Sequence, residues 1–392
     1  MITRGNGLTI GNNVARVKKK KLVSRLPVWS HAPATLALRT AMIACQVFGL
    51  EATLDEMDRL GRGFAKAPWN KKQLQRCKRR IAFAFPDWDE NRIDDVAAGV
   101  WGHLFQLGAE TLYTPRFLSS DSWVRHACFG KASEAFGEIL KNQPVILVTG
   151  HFGNWELSGY AMAVMGVPVH GVYRPFDLKP LDRWMRDVRS KRGMQLVDKF
   201  GAVRELPRAL DNGGMPAFVA DQNAGDRGLF VPFFGRLTST YKSVGMLAMQ
   251  KNASIICGGG VRSPERGPDG VDQLHNHATG RWQNTMGYRF DIHDVIKPED
   301  WKDQPDPLFY ITARYRRSIE NMVRTAPEQY FWMHRVWKSR PKHERLRREF
   351  PDALKQKLLD LPWMDEAEVE RLVDQSRLDI AELDRLGGNR LE

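Results

Sequence analysis

The sequence reads as an α/β protein, a mixed or mostly parallel central sheet flanked by helices, on three observations. VILVTG at 145–150, MPAFVADQ at 215–222 and ASIICGGGV at 253–261 are short apolar runs of the kind that form strands buried on both faces. Stretches of helical period lie between them, notably 180–192 and 240–251. The chain has 392 residues, 42% of them hydrophobic, enough apolar mass for a sizeable core. That excludes a disordered, collagen-like or low-complexity chain. Strands alternating with helices at this spacing place the chemistry at the strands' C-terminal ends.

Taken in order, the chain opens on a basic run of Arg16, Lys18, Lys19, Lys20, Lys21 and Arg25, with no apolar signal core before it. Pro33 then starts PATLALRTAMIACQVFGL at 33–50, a largely apolar stretch interrupted by Arg39. A spanning helix needs about 20 apolar residues. A helix lying in a membrane interface behind the Lys/Arg cluster is therefore preferred over a buried core helix or a transmembrane span. Residues 51–110 are helical in three segments, punctuated by Pro68 and by Pro86-Asp87. The second segment carries a further basic cluster: Lys71, Lys72, Arg76, Lys78, Arg79 and Arg80. GYRFDIHDVI at 287–296 reads as another strand, and 305–324 and 327–337 as helical. Ahead of that strand, 263–287 is a polar loop whose His275 and His277 lack any carboxylate or Cys at metal-ligand spacing, so no metal is expected. Residues 342–392 are charged, with Leu and Val at helical intervals, a solvated or edge-packing helical pair. The division that follows is a basic helical membrane-associating region at 1–110, an α/β domain at 111–345 and a charged helical tail at 346–392.

With 59 Lys+Arg against 46 Asp+Glu, the net charge of +13 points to an acidic partner: nucleic acid, an anionic membrane or an acidic carrier protein. A basic nucleic-acid-binding protein is the competing class. No helix-turn-helix, zinc finger or RNP-type aromatic motif supports it. Cys45, Cys77, Cys128 and Cys257 stand far apart, which argues against a disulfide or zinc framework.

The chemistry-bearing motif follows the first buried strand: Gly150-His151-Phe152-Gly153-Asn154-Trp155-Glu156. A His at the exposed rim of a sheet, with a carboxylate five positions on, is the base–orienter half of a triad. Glu156 is expected to fold back onto the imidazole of His151. No GxSxG elbow and no nearby cysteine supplies a protein nucleophile, so the hydroxyl to be activated belongs to a substrate. Asn154 is either an oxyanion donor or a helix cap. Arg189 sits among Arg183, Arg186, Lys191 and Arg192, on a helix face that is either solvated or at the site. Asp221 ends a buried strand as a turn former or a site residue. Phe230, Phe233 and Phe234 line an acyl groove or fill core.

Five segments in order resemble one family, the late acyltransferases of lipid A biosynthesis with their H-x4-D/E motif. They are CKRRIAFAFPDWDENR at 77–92, TGHFGNWE at 149–156 and GVYRPFDLKPLDRWMRDVRSKRGM at 171–194, then FVADQNAGDRGLFVPFFGRLTST at 218–240 and PEQYFWMHRVWKSRP at 327–341. The resemblance implies a glycerolipid acyltransferase-like fold and transfer of a fatty acyl chain from acyl carrier protein to a hydroxyl of a membrane glycolipid, without metal or other cofactor. It implies His151 as general base and Glu156 as the residue that holds and polarises it. It makes Arg174, Arg189 and Asp221 residues of the substrate site, with Arg335, in the terminal signature, a packing or phosphate-binding residue; Asn154, as the candidate oxyanion donor, is counted with the substrate-binding residues. It further implies work at an anionic membrane surface, the cytoplasmic face of a bacterial inner membrane. The acceptor it implies is a lipid A precursor. The same chemistry would serve a phosphatidylinositol mannoside, an amino-acid lipid or a lysophospholipid.

Overall fold

The computed structural model describes residues 49–391 except 177–178, 263–274, 277–280 and 283–286, together with Pro33, Leu36 and Thr40. The basic run at 16–25 and most of the expected interface helix at 33–50 lie outside the described residues. So does most of the polar loop at 263–287, of which β9 (His275–Asn276) and β10 (Arg281–Trp282) pair as two short antiparallel strands. Among the described residues no helix is long and apolar enough to cross a membrane.

From residue 49 onward the described residues begin with three helices: α1 (Leu50–Ala65), α2 (Lys71–Ala84) and α3 (Glu90–Phe117). Asp89 starts α3 by accepting a hydrogen bond from the Arg92 amide at 2.7 Å, the usual remedy for an orphan first-turn donor. α1 crosses α3 backbone to backbone at Gly61, where a Cβ would lie 2.4 Å from the Trp101 carbonyl.

The sheet has seven strands: β1 (Ala127–Phe129), β2 (Val145–Thr149), β3 (Val169–Tyr173), β4 (Gln195–Asp198), β5 (Met215–Val219), β8 (Ser254–Arg262) and β11 (Tyr288–Ile296). Their order is β1-β11-β8-β2-β5-β3-β4. β8, β2, β5, β3 and β4 run parallel, and β11 runs antiparallel to β8. The helices that cover it are α4 (Ser133–Leu140), α5 (Trp155–Val164), α6 (Lys179–Ser190), α7 (Ala202–Asp211), α8 (Ser243–Lys251), α9 (Pro298–Trp301) and α10 (Pro307–Thr325). The expected α/β class and mostly parallel sheet are thus observed, with β2, the first buried run, at the sheet's middle.

Four features differ from the sequence reading. β1 is only three residues long, and β3 and β4 are short and interrupted by polar residues, such as His170 in β3, so their apolar signal is weak. FVPFFGRLTST forms an antiparallel hairpin, β6 (Leu229–Phe233) and β7 (Arg236–Thr240). α8 begins at Ser243, three residues later than the helical text. Finally, 327–337 is not helical: a 3₁₀ turn at Pro327–Gln329 leads into irregular chain. Tertiary bonds override helix there, since Arg80 Nη1 donates to the Trp332 carbonyl and Trp332 Nε1 to the Pro327 carbonyl, each at 2.7 Å.

The C-terminal segment folds as α11 (Lys342–Arg345), α12 (Asp352–Leu359) and α13 (Glu366–Arg385). One core cluster contains Cys77 and Ile81 of α2, Ile146 and Val148 of β2, Ile319 and Met322 of α10, Leu358 of α12 and Leu372 of α13. Charge also fastens this segment: fully buried Arg340 donates to Glu344 at 2.6 and 2.9 Å and to Asp379 of α13.

Candidate active site

The register of two strands builds the site. β2 and β5 pair with Thr149 opposite Val219, and the Ala220 amide donates to the Thr149 carbonyl at 2.8 Å. Residues two places beyond each strand end therefore meet: His151 and Asp221. His151 Nδ1 lies 2.6 Å from Asp221 Oδ1, and the His151 amide donates to Oδ2 at 3.1 Å. Asp221 is fully buried. Burial would push its carboxyl up, but the charge of and hydrogen bond to His151, with His334 and Arg316 behind, hold it well below the usual carboxylate range. An ionised Asp221 fixes the proton of a neutral His151 on Nδ1 and leaves Nε2 as the basic nitrogen.

This corrects the expected pairing. Glu156 does not turn back to His151; it receives Arg189 through two bonds, Nε to Oε2 and Nη2 to Oε1, both 2.7 Å. Glu156 lies in the first turn of α5 and Arg189 in the last turn of α6, and both are largely buried. A planar guanidinium on a carboxylate is the stronger geometry, and it consumes both oxygens.

For Asn154 the structure shows the cap, one of the two expected roles. It is fully buried: Oδ1 accepts from the Leu157 amide at 2.9 Å, and Nδ2 donates to Glu110 at 2.8 Å. It is the cap of α5, with its side-chain amide committed to Leu157 and Glu110. Arg174, just past β3, and Arg335 are exposed, and neither side chain forms a hydrogen bond or ion pair with any described residue. The structure therefore brings His151 and Asp221 together with Glu156 and Arg189 adjoining, and leaves Arg174 and Arg335 at the surface.

The loop carrying His151 is stitched in place from two sides. The Gly153 amide donates to the Gln329 carbonyl, the Asn154 amide to the Gly260 carbonyl, and the Phe331 amide to the His151 carbonyl, at 2.9, 3.2 and 2.9 Å. Gly153 has φ +54°, and a Cβ there would stand 1.8 Å from the Gly260 oxygen, so only glycine fits.

Behind the loop lies a buried polar network that sequence reasoning missed. Fully buried Glu110 accepts from Asn154, from Arg262 Nε at 2.9 Å and from the Tyr288 hydroxyl. Arg262 also reaches His103 Nδ1 at 3.2 Å, while His103 Nε2 donates to the Gly153 carbonyl at 3.0 Å. Burial and the Arg262 charge push His103 down to about 3, which keeps it neutral for that double duty. His103, Gln106 and Glu110 recur at helical spacing in the otherwise apolar middle of α3, residues 96–110, a signal legible in principle.

Two more missed residues face the pair. The His334 ring sits 4.4 Å from that of His151, with Trp155 and Phe331 completing an aromatic wall. Burial and the charge of His151, with Arg80 and Arg316 adding, push His334 down to about 4 despite Asp221. Arg316 is buried beneath Asp221: Nη1 donates to the Ala220 carbonyl at 3.4 Å, and the guanidinium lies 3.9 Å from the Phe233 ring. Its Nε and Nη2 are buried without a hydrogen-bond partner. The aromatics Phe233 and Phe234 are buried core, while Phe230 is half-buried.

Burial pushes the Cys77 thiol up to about 12 and the Cys257 thiol further, so neither is a thiolate nucleophile. Among the described residues no group of three or more His, Cys, Asp or Glu is placed to hold a metal ion.

Comparison with known proteins agrees with the family suggested by the five segments. Residues 30–339 match the family model described as bacterial lipid A biosynthesis acyltransferase. A lipid A biosynthesis acyltransferase of Haemophilus influenzae is 24% identical over 286 residues, covering 70% of this chain and 79% of that protein. A lipid A biosynthesis lauroyltransferase of Escherichia coli K12 is 29% identical over 299 residues, 72% of this chain and 85% of that protein. The palmitoleoyltransferase of the same organism is 27% identical over 204 residues, 52% and 58% of the two chains.

Proposed function

The chain belongs to the bacterial lipid A biosynthesis acyltransferase family, and from that premise we propose that it moves a fatty acyl chain from acyl carrier protein to a hydroxyl of a lipid A precursor, with His151 as general base. The observation that carries the mechanism is the 2.6 Å bond between His151 Nδ1 and Asp221. His151 Nε2 takes the proton from the acceptor hydroxyl as its oxygen attacks the thioester carbonyl carbon. The carbon–sulfur bond then breaks, and the imidazolium returns the proton to the departing thiolate. Asp221 holds the tautomer and stabilises the transient imidazolium. No covalent enzyme intermediate is needed.

Glu156 then has a different task from the one the resemblance implies. By accepting from Nε and Nη2, two of the three guanidinium nitrogens, it fixes Arg189 against the first turn of the helix that follows His151, where a cation would meet the phosphates of an acceptor headgroup. The +13 charge favours encounter with an acidic carrier protein and residence at an anionic inner-membrane surface, on its cytoplasmic face.

The test is a kinetic comparison of His151→Gln, Asp221→Asn and Glu156→Gln with purified donor and acceptor. His151→Gln and Asp221→Asn are expected to lower kcat by roughly 10²–10⁴-fold. Glu156→Gln is expected to act mainly by raising the acceptor KM. A kcat collapse in Glu156→Gln with Asp221→Asn near normal would return the orienting role to Glu156.

A further inference from the structure

The C-terminal ends of β3 and β4 form a rim beside the site that is apolar at its tip and cationic around it. Phe200 and Val203 are 82% and 89% exposed, among the most exposed large apolar side chains of the described residues, and Phe176 is half exposed. The rim is a built structure. The Lys199 amide donates to the Tyr173 carbonyl at 3.0 Å, and Asp198 accepts the Phe200 amide at 3.0 Å. The Lys199 ammonium lies 4.7 Å from the Phe200 ring and the Arg186 guanidinium 5.6 Å from the Tyr173 ring. Arg174, Arg183 and Arg204 are exposed around them. Residues 171–210 hold ten Lys/Arg against five Asp/Glu, so five of the thirteen excess positive charges fall in 40 residues. Of the acids, Asp198 is committed to the Phe200 amide and Asp182 to the Phe176 amide.

The rim is also continuous with the site. The Arg189 guanidinium lies 5.8 Å from the Phe176 ring and is bound to Glu156, in the first turn of the helix that follows His151. Protruding apolar side chains within a cationic collar match one kind of surface, an anionic bilayer whose interface accepts the rings and whose phosphates meet the cations.

We propose that the β3–β4 rim docks on an anionic phospholipid bilayer, with Phe200 and Val203 entering the interfacial layer and Arg174, Lys199 and Arg204 on lipid phosphates, so that a lipid acceptor reaches His151 from the bilayer. The delivery of the acceptor rests on the acyltransferase reading; the docking itself does not. Trp69, 78% exposed beside Lys66, Lys71 and Lys72, offers a competing surface and serves as the comparison.

The experiment is cosedimentation of the full chain with phosphatidylcholine vesicles with and without phosphatidylglycerol, for wild type, F200D/V203D, the milder F200S/V203S, and W69D. Wild type is expected to prefer the anionic vesicles, and both rim variants to bind them about tenfold or more weakly with unchanged thermal melting. Turnover by the rim variants should persist on detergent-dispersed acceptor and fall on vesicle-embedded acceptor. Unchanged vesicle affinity in both rim variants would overturn the proposal, as would loss of binding in W69D alone. Intact vesicle affinity with a raised KM for acyl carrier protein would assign the rim to the donor and also overturn it. Should wild type acylate no lipid, the functional reading fails while vesicle binding still decides the docking.

Discussion

His151 and Asp221 stand 70 residues apart in the chain, and their contact depends on charges that arrive from still further away. Asp221 faces His151, His334 and Arg316; His334 also faces Arg80; and Tyr330, pushed up by burial, faces Asp221, Arg316 and Arg80. Arg316 is the cation of this group that lies deepest beneath Asp221, and it draws on the carboxylate that His151 also needs. Its charge helps to hold Asp221 ionised. Arg316→Gln is therefore expected to lower kcat roughly tenfold in a folded enzyme, because the carboxylate that orients His151 loses a supporting cation. Arg316→Lys, which keeps the charge, should stay near wild type. An unchanged kcat in a folded Arg316→Gln enzyme would reduce Arg316 to a packing residue.

At the scale of elements, the turn from β2 into α5 has almost no freedom. Gly153 cannot carry a side chain, and Asn154 caps the helix while bonding to Glu110. The Glu110–Arg262–Tyr288 network clamps α3, β8 and β11 together behind that turn. Breaking one member leaves an uncompensated buried charge. Arg262→Met is therefore expected to lower unfolding free energy by roughly 3–5 kcal/mol in urea titration. Glu110→Gln/Arg262→Met should recover part of the loss. Equal stability of the single variant and wild type would show that the network carries little. The hairpin β6–β7 is fixed by the same principle, since Arg340 Nη1 donates to the Leu237 carbonyl and Trp337 Nε1 to the Phe233 carbonyl.

Over the whole molecule, three histidines in buried or half-buried positions tie stability to pH. His103 is pushed down to about 3, and His334 and His343 to about 4, burial being the first cause in each. Unfolded, each titrates near 6.5, so between about pH 6.5 and 4 the unfolded chain binds more protons than the native one. Their contribution is fully present above about pH 6.5 and is lost as pH falls toward 4. The limiting slope is about 1.4 kcal/mol per pH unit for each histidine. His343→Gln, remote from the site and bonded to Ser376, should flatten the stability–pH curve by about a third of that three-histidine slope. Denaturant unfolding at pH 7, 6 and 5 reads the effect. A wild-type midpoint flat over that range would refute it.

Much of this architecture was legible from local text. β2, β5, β8 and β11 showed in the sequence because apolar runs and turn residues act on neighbours, and the His151 loop because glycine and strand-end position are local as well. The α/β class and the five family segments follow from signals of that range. Tertiary structure alone decided who touches whom. It gave His151 the carboxylate of Asp221 in place of the nearer Glu156, because parallel pairing of β2 with β5 sets the two strand ends side by side. It sent Glu156 to Arg189, tied the Asn154 cap to Glu110, and drew 327–337 out of helix with a hydrogen bond from α2. Spacing along the chain governs periodicity and caps; strand order and burial govern hydrogen-bond partners 70 to 252 residues away.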